Sequence, residues 1–365
     1  MKFKSILAAF ICSLTIVSCS KEDIGNGDSS LQTKSSTGIT KVSFSGSGLE
    51  DMLSFPDMAY FVNTQSNLEH QVEDHDDNFI AQYGNMNEDD LIDFEEDSNF
   101  DDELPLTEFE NNYSFTSLRV HLINAENTWL DQFGPNDNFE VSESPYHHFI
   151  MDEAMRAMLN VDAQAQIGEY LTQFTRFGYI QVPVNNMELF LNVVNDPSGN
   201  SGWMTDENVT IVGGYYGSPD GNFDPQSIDP DNNGAYCVAD IDSKGQINYT
   251  DNRKVSWRHK LRGHDIYAKA KAKTRGFKHK RGKWRCRRLN IHVALDKDIS
   301  STETVDCDVY KQLSGSKSKK RRKVKVKDEE IHWAGYVIGY KAINRVTKSV
   351  HGWSSNRTDK FMLEI

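Results

Sequence analysis

The sequence predicts an α+β fold: an acidic, partly helical N-terminal region followed by a mainly antiparallel β C-terminal domain that is sandwich or barrel-like. Three observations predict it. Apolar residues in the first half recur at separations of three or four, whereas the second half consists of short strand-like runs separated by glycine-containing turns. Charge divides in the same way, since residues 50–153 hold 27 Asp and Glu against one Arg, and residues 253–348 hold 29 Lys and Arg against 9 acids.

Helical spacing is clearest over residues 117–133, where the apolar positions share one face. Thr116 or Ser117 can cap the start, and Gly134-Pro135 ends the pattern. In residues 85–112 acids dominate and apolar residues are isolated, which favours a solvated connecting segment or poor order. We expect further helices over residues 67–83, 144–159 and 187–194.

Strand-like runs predict the β-domain. They cover residues 236–239, 254–258, 266–273, 284–295, 323–327 and 333–343. In the third run alanines alternate with Lys269, Lys271 and Lys273, so one strand face carries small residues and the other carries lysines. Beyond a turn predicted at 276–282, the next run adds Arg285 and Arg287. We therefore expect a basic sheet face whose lysines point to solvent.

Composition divides the chain into five segments. We interpret residues 1–18 as a signal peptide, because a positive start precedes an apolar run too short for the roughly 20 residues of a membrane-spanning helix. Small and polar residues over 19–48 are typical of a flexible tether. An acidic α+β region (49–217), a turn-rich connection (218–234) and a basic β-domain (235–365) follow.

The apolar run ends in Ile16-Val17-Ser18-Cys19, which resembles the lipobox of bacterial lipoproteins. The resemblance implies cleavage after Ser18 and a lipid on Cys19 that anchors the protein to a membrane. Ser20-Lys21-Glu22-Asp23 is similar to the acidic stretch that follows the lipidated cysteine in surface lipoproteins of Bacteroidetes-type bacteria. That similarity implies an outer-membrane lipoprotein exposed at the cell surface.

Three segments carry a further resemblance: the one from Leu159 to Gly168 ahead of Gly178-Tyr179, Asn252-Arg253-Lys254-Val255-Ser256-Trp257, and Gly282-Lys283-Trp284-Arg285. Through them the chain as a whole resembles an uncharacterised family of Bacteroidetes-type surface lipoproteins with a domain of unknown function. The resemblance implies no reaction, substrate or cofactor, and we predict no cofactor.

The cysteines allow at most one internal disulfide. Of five cysteines, Cys12 leaves with the signal peptide and Cys19 takes the lipid, so three remain in an oxidising compartment. Cys286 and Cys307 flank strand-like runs in the basic domain and are the preferred pair, with Cys237 free. The sequence contains no CxxC, which argues against a cysteine zinc site or a thioredoxin-like motif.

Two patterns offer metal ligands. Residues 240–251 approach a calcium loop, but Lys244 occupies a ligand position, and a β-hairpin with Gly245 at positive φ in its turn explains the pattern as well. Two histidines and a carboxylate lie close together at His70, Asp74 and His75, and two more histidines lie within residues 146–148. Neither group has the spacing of a known zinc motif. We predict no metal site.

The basic region carries the leading functional hypothesis. Its cations are interleaved with aromatic residues, a mixture suited to anionic polymers such as acidic polysaccharide, lipopolysaccharide phosphates or extracellular DNA. Two alternatives are a plain solvated face and a face neutralised by the acidic half of the same protein. The candidate ligands of an anionic polymer are Lys269, Lys271, Lys273, Lys278, Lys280, Arg285 and Arg287.

The sequence therefore predicts a non-catalytic, lipid-anchored cell-surface protein that binds an anionic polymer through its basic β-domain. The alternative is a surface-anchored enzyme, for example a polysaccharide-acting hydrolase, with an accessory β-domain. No GxSxG elbow is present, and the carboxylates crowd a polar run with few apolar neighbours to raise a pKa, so we predict no catalytic residue.

Overall fold

Helices lie in the acidic half of the chain, and long antiparallel strands make up the basic half, so the α+β prediction is confirmed. A computed structural model describes residues 38–44, 48–175, 178–197, 199–212, 240–250, 252–264, 267–296, 315–331, 348–353 and 360–363. All of them belong to one of the two units of the chain, Gln32–Ile365. No helix in these ranges is both long and apolar enough to cross a bilayer.

Side-chain caps begin most of the helices. Asp57, Asn87, Ser117 and Asp152 each accept a hydrogen bond from the backbone N–H three residues further on, which satisfies a donor that the first turn leaves free. The helices are α1 (Met58–Tyr83), α2 (Glu88–Asp97), α3 (Leu104–Tyr113), α4 (Leu118–Leu130), α5 (Glu153–Met158) and α6 (Met187–Asn195).

The structure corrects the expectation for residues 85–112. This segment forms α2 and α3, and it buries Leu91, Ile92 and Leu106 almost completely. Acids prevail in its sequence, yet Glu95 and Glu110 are buried as well, because arginines from other segments pair with them. Sparse apolar residues were therefore enough for burial once the charges had partners.

The predictions for residues 117–133 and 187–194 are confirmed by α4 and α6, whereas the helix expected over 144–159 is limited to α5. Arginines take the carbonyl oxygens that a longer helix would need. Arg156 donates to the carbonyls of Ile150 at 2.7 Å and Tyr146 at 3.0 Å, and Arg258 donates to that of His148 at 2.8 Å. Residues 144–152 therefore follow an irregular path, with a turn at 145–146, instead of a helix.

The first sheet lies within the acidic half and is covered on both faces. Its order is β1 (Thr40–Val42), β2 (Met52–Phe55), β3 (Gln164–Ile167), β4 (Tyr170–Phe174), β5 (Tyr179–Pro183) and β6 (Thr210–Val212), antiparallel except for the parallel pair β2–β3. On one face Phe55 of β2 packs with Phe61 of α1, and on the other face Met52 of β2 packs with Phe190 of α6.

The basic half contributes two further sheets, which pack face to face as an open sandwich. The second sheet holds β7 (Asp240–Thr250), β8 (Arg253–His264), β9 (Tyr267–Lys280), β10 (Lys283–Cys286) and β13 (Lys323–Ile331). The third has the order β12 (Gly315–Arg321), β11 (Leu289–Asp296), β14 (Lys348–Trp353) and β15 (Lys360–Leu363). Val255, Ala272, Leu289, Val293 and Val324 fill the space between them.

β9 changes partners at Gly276. Residues 267–275 pair with β13 and residues 277–280 with β10, while β8 runs along the other edge. At the change, the Gly276 N–H donates to the Arg322 carbonyl at 3.0 Å, and the Arg287 N–H donates to the Gly276 carbonyl at 2.9 Å. The turn expected over 276–282 is therefore limited to Arg281-Gly282, whose φ values of 53° and 79° suit a two-residue hairpin.

Residues 240–250 form a β-strand, which overturns both interpretations of the calcium-like pattern. β7 pairs with β8 from Asp240 to Asn248 and again at Thr250, so its backbone does not wrap around an ion. Gly245 lies opposite Trp257 in mid-strand rather than in a turn, and a Cβ there would be only 2.6 Å from the indole ring. The glycine therefore makes room for tryptophan.

Several predictions concern residues outside the described ranges. They are the signal peptide, the lipidated Cys19, the connection 218–234, the strands expected at 236–239 and 333–343, and the cysteines Cys237 and Cys307. Cys286 is described, with its Sγ 3.6 Å from the carbonyl oxygen of Arg322, and burial raises the pKa of its thiol. Its pairing with Cys307 stays a prediction.

Candidate functional site

The lysine face of β9 does not point to solvent. Alternation along the strand places Ala272 and Thr274 towards the third sheet and Lys271, Lys273 and Arg275 towards the acidic helices. These three cations are between 3% and 7% exposed. The expectation of solvated lysines is therefore wrong for Lys271 and Lys273, and the period-two pattern that predicted one basic face is correct.

Two helices supply the opposing carboxylates. Arg275 forms a fork with Glu126 of α4 at 2.8 and 2.5 Å. Lys273 pairs with Glu153, the first residue of α5, and Lys271 lies 4.0 Å from Asp152, the cap of that helix. Burial alone would raise the pKa of Glu126, Asp152 and Glu153, but the facing cations outweigh it and hold all three pKa values below their usual range.

The remaining candidate cations also meet acids of the N-terminal half. Lys278 pairs with Asp89, Lys280 with Asp93 and Glu96, Arg285 with Asp131, and Arg287 with Glu96. The side chain of Lys269 is outside the described part of the structure. In the structure, acids of the same chain therefore neutralise the six candidates whose side chains are described.

We name this contact between the acidic helices and the cationic strands the charged interlayer; it consists of the paired acids of α1–α5 and their partners on β8–β13. It also includes cations outside the seven candidates. Arg288 reaches Asp76 at 2.6 Å and Glu95 at 2.8 Å, and its side chain is only 1% exposed. The period-two run Lys323-Val324-Lys325-Val326 is the signal that could have placed two further lysines on the same face.

Tyr146 lies at the centre of the charged interlayer. The guanidinium carbons of Arg275 and Arg156 lie 3.9 and 4.4 Å from the centre of its ring, within the range of cation–π contacts. Its hydroxyl accepts a hydrogen bond from Lys323 Nζ at 3.0 Å. Burial and the neighbouring Glu153 raise the pKa of the phenol, so it stays protonated at neutral pH.

A cavity of about 440 Å³ opens within the charged interlayer. Its walls come from α1, α3 and α5 on the acidic side and from β9, β12 and β13 on the basic side. Charged groups of both signs line it, including Glu69, Glu103 and Lys325. Apolar side chains complete the lining, among them Val72, Leu106, Met151 and Val324.

Lys273 gives this cavity a group that titrates near neutrality. Burial lowers its pKa to about 7, assisted by the charges of Lys323, Arg156 and Arg275 and opposed by Glu153. In contrast, the pKa values of Lys323 and Lys325 are raised, because their carboxylate partners outweigh burial. Among the lining lysines, Lys323 and Lys325 therefore stay charged, whereas Lys273 can exchange a proton near pH 7.

Three of the four histidines considered as metal ligands have other partners. His75 Nε2 lies 2.9 Å from the Asp101 carbonyl, and its ring stacks on Phe100. His147 hydrogen-bonds the Val141 carbonyl at 3.1 Å, and His148 Nδ1 accepts from the Ile150 N–H at 3.2 Å. Among the described residues, no three His, Cys, Asp or Glu side chains form a group that could hold a metal ion.

Comparisons with known proteins assign no function to the chain. No protein-family model and no curated protein matches the chain. A similar solved structure is that of a DUF4848 family protein from Bacteroides thetaiotaomicron, at 10% sequence identity over 86% of this chain and 97% of that one. The TM-score is 0.17, so this likeness carries no argument about structure or function.

Proposed function

We propose that this chain is a non-catalytic, lipid-anchored cell-surface protein that binds a ligand in the cavity of the charged interlayer. The cavity is the observation that carries the proposal. Its volume of about 440 Å³ falls within the roughly 300–1,000 Å³ of small-molecule sites, and its lining combines charged groups with apolar side chains.

The cavity is favoured over the sheet face for a physical reason. The six described candidates on that face already pair with carboxylates, so a polymer would have to displace those partners. Displacement would leave buried acids such as Asp152 without their cations, at a cost of several kcal/mol each. The cavity requires no displacement.

A bulky side chain at the cavity wall tests this proposal. His70 is exposed and lines the cavity from α1, while Gln71 is equally exposed at the next position and does not line it. We expect His70→Trp to reduce binding of any cavity ligand at least tenfold and Gln71→Trp to leave it unchanged. Ser316→Trp blocks the cavity from β12 and should act as His70→Trp does.

The measurement is binding of the purified mature chain and the three variants to an array of glycans and polyanions, with thermal unfolding midpoints as folding controls. Ligands that bind all four proteins equally would show that binding occurs outside the cavity, and the proposal would then fail.

The anchor is proposed from the sequence alone. Replacing Cys19 with Ala should release the protein from the membrane fraction of cells, because the signal peptide offers no other attachment once lipid addition is blocked. Cell fractionation measures this, with the unmodified chain as control. A Cys19→Ala protein that still required detergent for extraction would contradict lipid anchoring.

Polyanion binding retains one observation in its favour. Arg281 and Lys283 flank the tip of the β9–β10 hairpin, and their side chains are 68% and 62% exposed. If a polymer uses this tip, an Arg281→Gln/Lys283→Gln double variant should bind heparin more weakly, with a smaller salt dependence. Equal binding by the variant would remove the tip as a polymer site.

The enzyme alternative also has one supporting observation, the near-neutral pKa of Lys273 beside Glu153 and Tyr146 in a cavity. An enzyme that uses Lys273 as a proton acceptor should convert a cavity ligand at a rate that rises with pH around 7. Recovery of every bound ligand unchanged after long incubation would eliminate this alternative.

A further inference from the structure

The cavity walls are electrically balanced. Six carboxylates and five cations line the cavity. Each of these cations contacts one of the carboxylates: Lys323 lies 2.5 Å from Glu103, Lys325 lies 3.0 Å from Glu69, and Lys273, Lys317 and Arg321 pair with Glu153, Glu73 and Asp76. The sixth carboxylate, Asp102, pairs with Arg322 at 3.1 Å. With Lys273 protonated, a bound molecule therefore meets almost no net charge.

This balance disfavours a charged ligand. An anion could bind a wall lysine only by competing with the carboxylate that already holds it, and a cation would compete with the lysine in the same way. Glu103 and Glu153 are only 11% and 15% exposed, so losing their lysine would leave a poorly hydrated charge. Such exposure of an unpaired charge costs more than the new pair returns.

Paired charges still offer hydrogen bonds. An ammonium group has three N–H donors, and a carboxylate has about four acceptor positions. Lys325 directs two donors to Glu69 and Asp152, which leaves one N–H for a ligand, and each ion pair leaves acceptor positions on its carboxylate. A hydroxyl group can accept from the ammonium and donate to the carboxylate at the same time, without separating the pair. Hydrogen bonds to charged groups are roughly twice as strong as neutral ones.

The apolar part of the lining completes the match. Val72, Leu106 and Met151 offer a surface for C–H groups between the charged pairs. A sugar ring presents hydroxyl groups at its rim and C–H groups on its faces, and therefore fits both kinds of surface. A purely apolar ligand would leave the charged rim without hydrogen bonds.

We infer that the cavity binds an uncharged, polyhydroxylated ligand, that is, a neutral sugar unit or the end of a neutral oligosaccharide. This inference rests on the proposed binding function and gives it a ligand class. It also predicts weak dependence on salt, because no counterions are released when an uncharged ligand binds.

The test uses the full mature chain and a defined panel of neutral hexose and pentose oligosaccharides, their uronate- or sulfate-bearing counterparts, and heparin. Ligand-observed NMR measures binding between roughly 50 and 200 mM salt, a range over which a polyanion making several contacts loses about a thousandfold or more in affinity. We expect neutral members to bind with at most about a twofold change over this range.

The three tryptophan variants show whether binding occurs in the cavity. Neutral binding that is lost in His70→Trp and Ser316→Trp, and kept in Gln71→Trp, supports the inference. If the charged counterparts bind in the cavity by the same criterion and the neutral members do not, the ligand class is wrong while the binding function stands. If nothing in the panel responds to His70→Trp or Ser316→Trp, the inference and the proposed function both fail.

Discussion

Arg288 joins the two halves of the chain through three hydrogen bonds. It donates to Glu95 at 2.9 Å, to Asp76 at 2.6 Å, and to the Lys320 carbonyl at 2.6 Å. Burial alone would lower its pKa, but the two carboxylates raise it, so it remains charged. The same burial raises the pKa of Glu95 despite its cationic partners. Arg288 therefore pairs with two buried acids at once, which also meet Arg321 and Arg322.

We expect Arg288→Met to lower the free energy of unfolding by about 3–5 kcal/mol, because it leaves Asp76 and Glu95 buried with fewer partners. Urea unfolding measures this. Arg281→Met is the matched control: its side chain is 68% exposed and pairs with Glu96 at 3.3 Å, so its loss should cost at most about 1 kcal/mol. Equal losses for both variants would contradict the energetic role of burial.

His147 makes stability depend on pH. Burial lowers its pKa to about 2, and the charges of Arg275 and Arg258 add to the effect, whereas the unfolded chain titrates near 6.5. Between these values the unfolded state binds more protons, so the free energy of unfolding falls as pH drops below about 6.5. The expected loss is up to about 1.4 kcal/mol per pH unit for this histidine.

The check is urea unfolding at about pH 7 and about pH 5 for the unmodified chain and for His147→Gln. Glutamine can keep a donor towards the Val141 carbonyl but cannot titrate. The free energy of unfolding of His147→Gln should therefore fall less between the two pH values. The buried His148 and His351, with pKa values lowered to about 3, should maintain part of the dependence of stability on pH. Identical slopes would rule out a role for His147.

At the scale of elements, strand β9 is where the second sheet and the charged interlayer meet. One of its faces packs on the third sheet and the other carries the interlayer cations, so a shift of one residue would exchange the two. Gly276 marks the change from β13 to β10, and a Cβ there would lie 2.7 Å from the Leu289 side chain. The close approach of the two sheets thus depends on this glycine.

We expect Gly276→Ala to lower the free energy of unfolding by about 1–3 kcal/mol, the usual cost of overpacking. A double-mutant cycle with Leu289→Ala tests the mechanism. Removing the leucine side chain creates the space that the new methyl group needs, so the double variant should be more stable than the sum of the single effects implies. Additive losses would show that crowding against Leu289 is not the cause.

At the scale of the whole molecule, the opposite charges of the two halves meet in the charged interlayer instead of facing solvent. Helix α1 pairs Asp76 with Arg288, which precedes β11, and pairs Glu69, Glu73 and Asp77 with cations of β12 and β13. Cations of β8 donate to backbone carbonyls of the segment from Phe139 to Phe149. If the two halves separated, all of these ion pairs and hydrogen bonds would be broken.

We therefore expect the helices and the strands to unfold in one cooperative transition. Far-ultraviolet circular dichroism follows the helices, and fluorescence of Trp257 and Trp284 follows the second sheet, measured with Trp129, Trp203, Trp333 and Trp353 replaced by Phe. The two urea transitions should coincide. Separate midpoints would mean that the charged interlayer contributes little to holding the halves together.

The sequence by itself determined the α+β class, helices α4 and α6, and the period-two face of β9, because local apolar spacing and alternation follow directly from backbone geometry. It also determined that two oppositely charged segments exist. It could not show α2 and α3 as buried helices, since acids are buried only when cations from distant segments reach them.

Only the tertiary structure decided where the basic face points. The same Lys271 and Lys273 could face solvent, a polymer or the acidic helices, and local pattern is identical in all three cases. The choice depends on carboxylates such as Asp152 and Glu153, more than 100 residues away in sequence, arriving within ion-pair distance. The cavity belongs to the same category, because its two walls come from opposite halves of the chain and exist together only after those halves have packed.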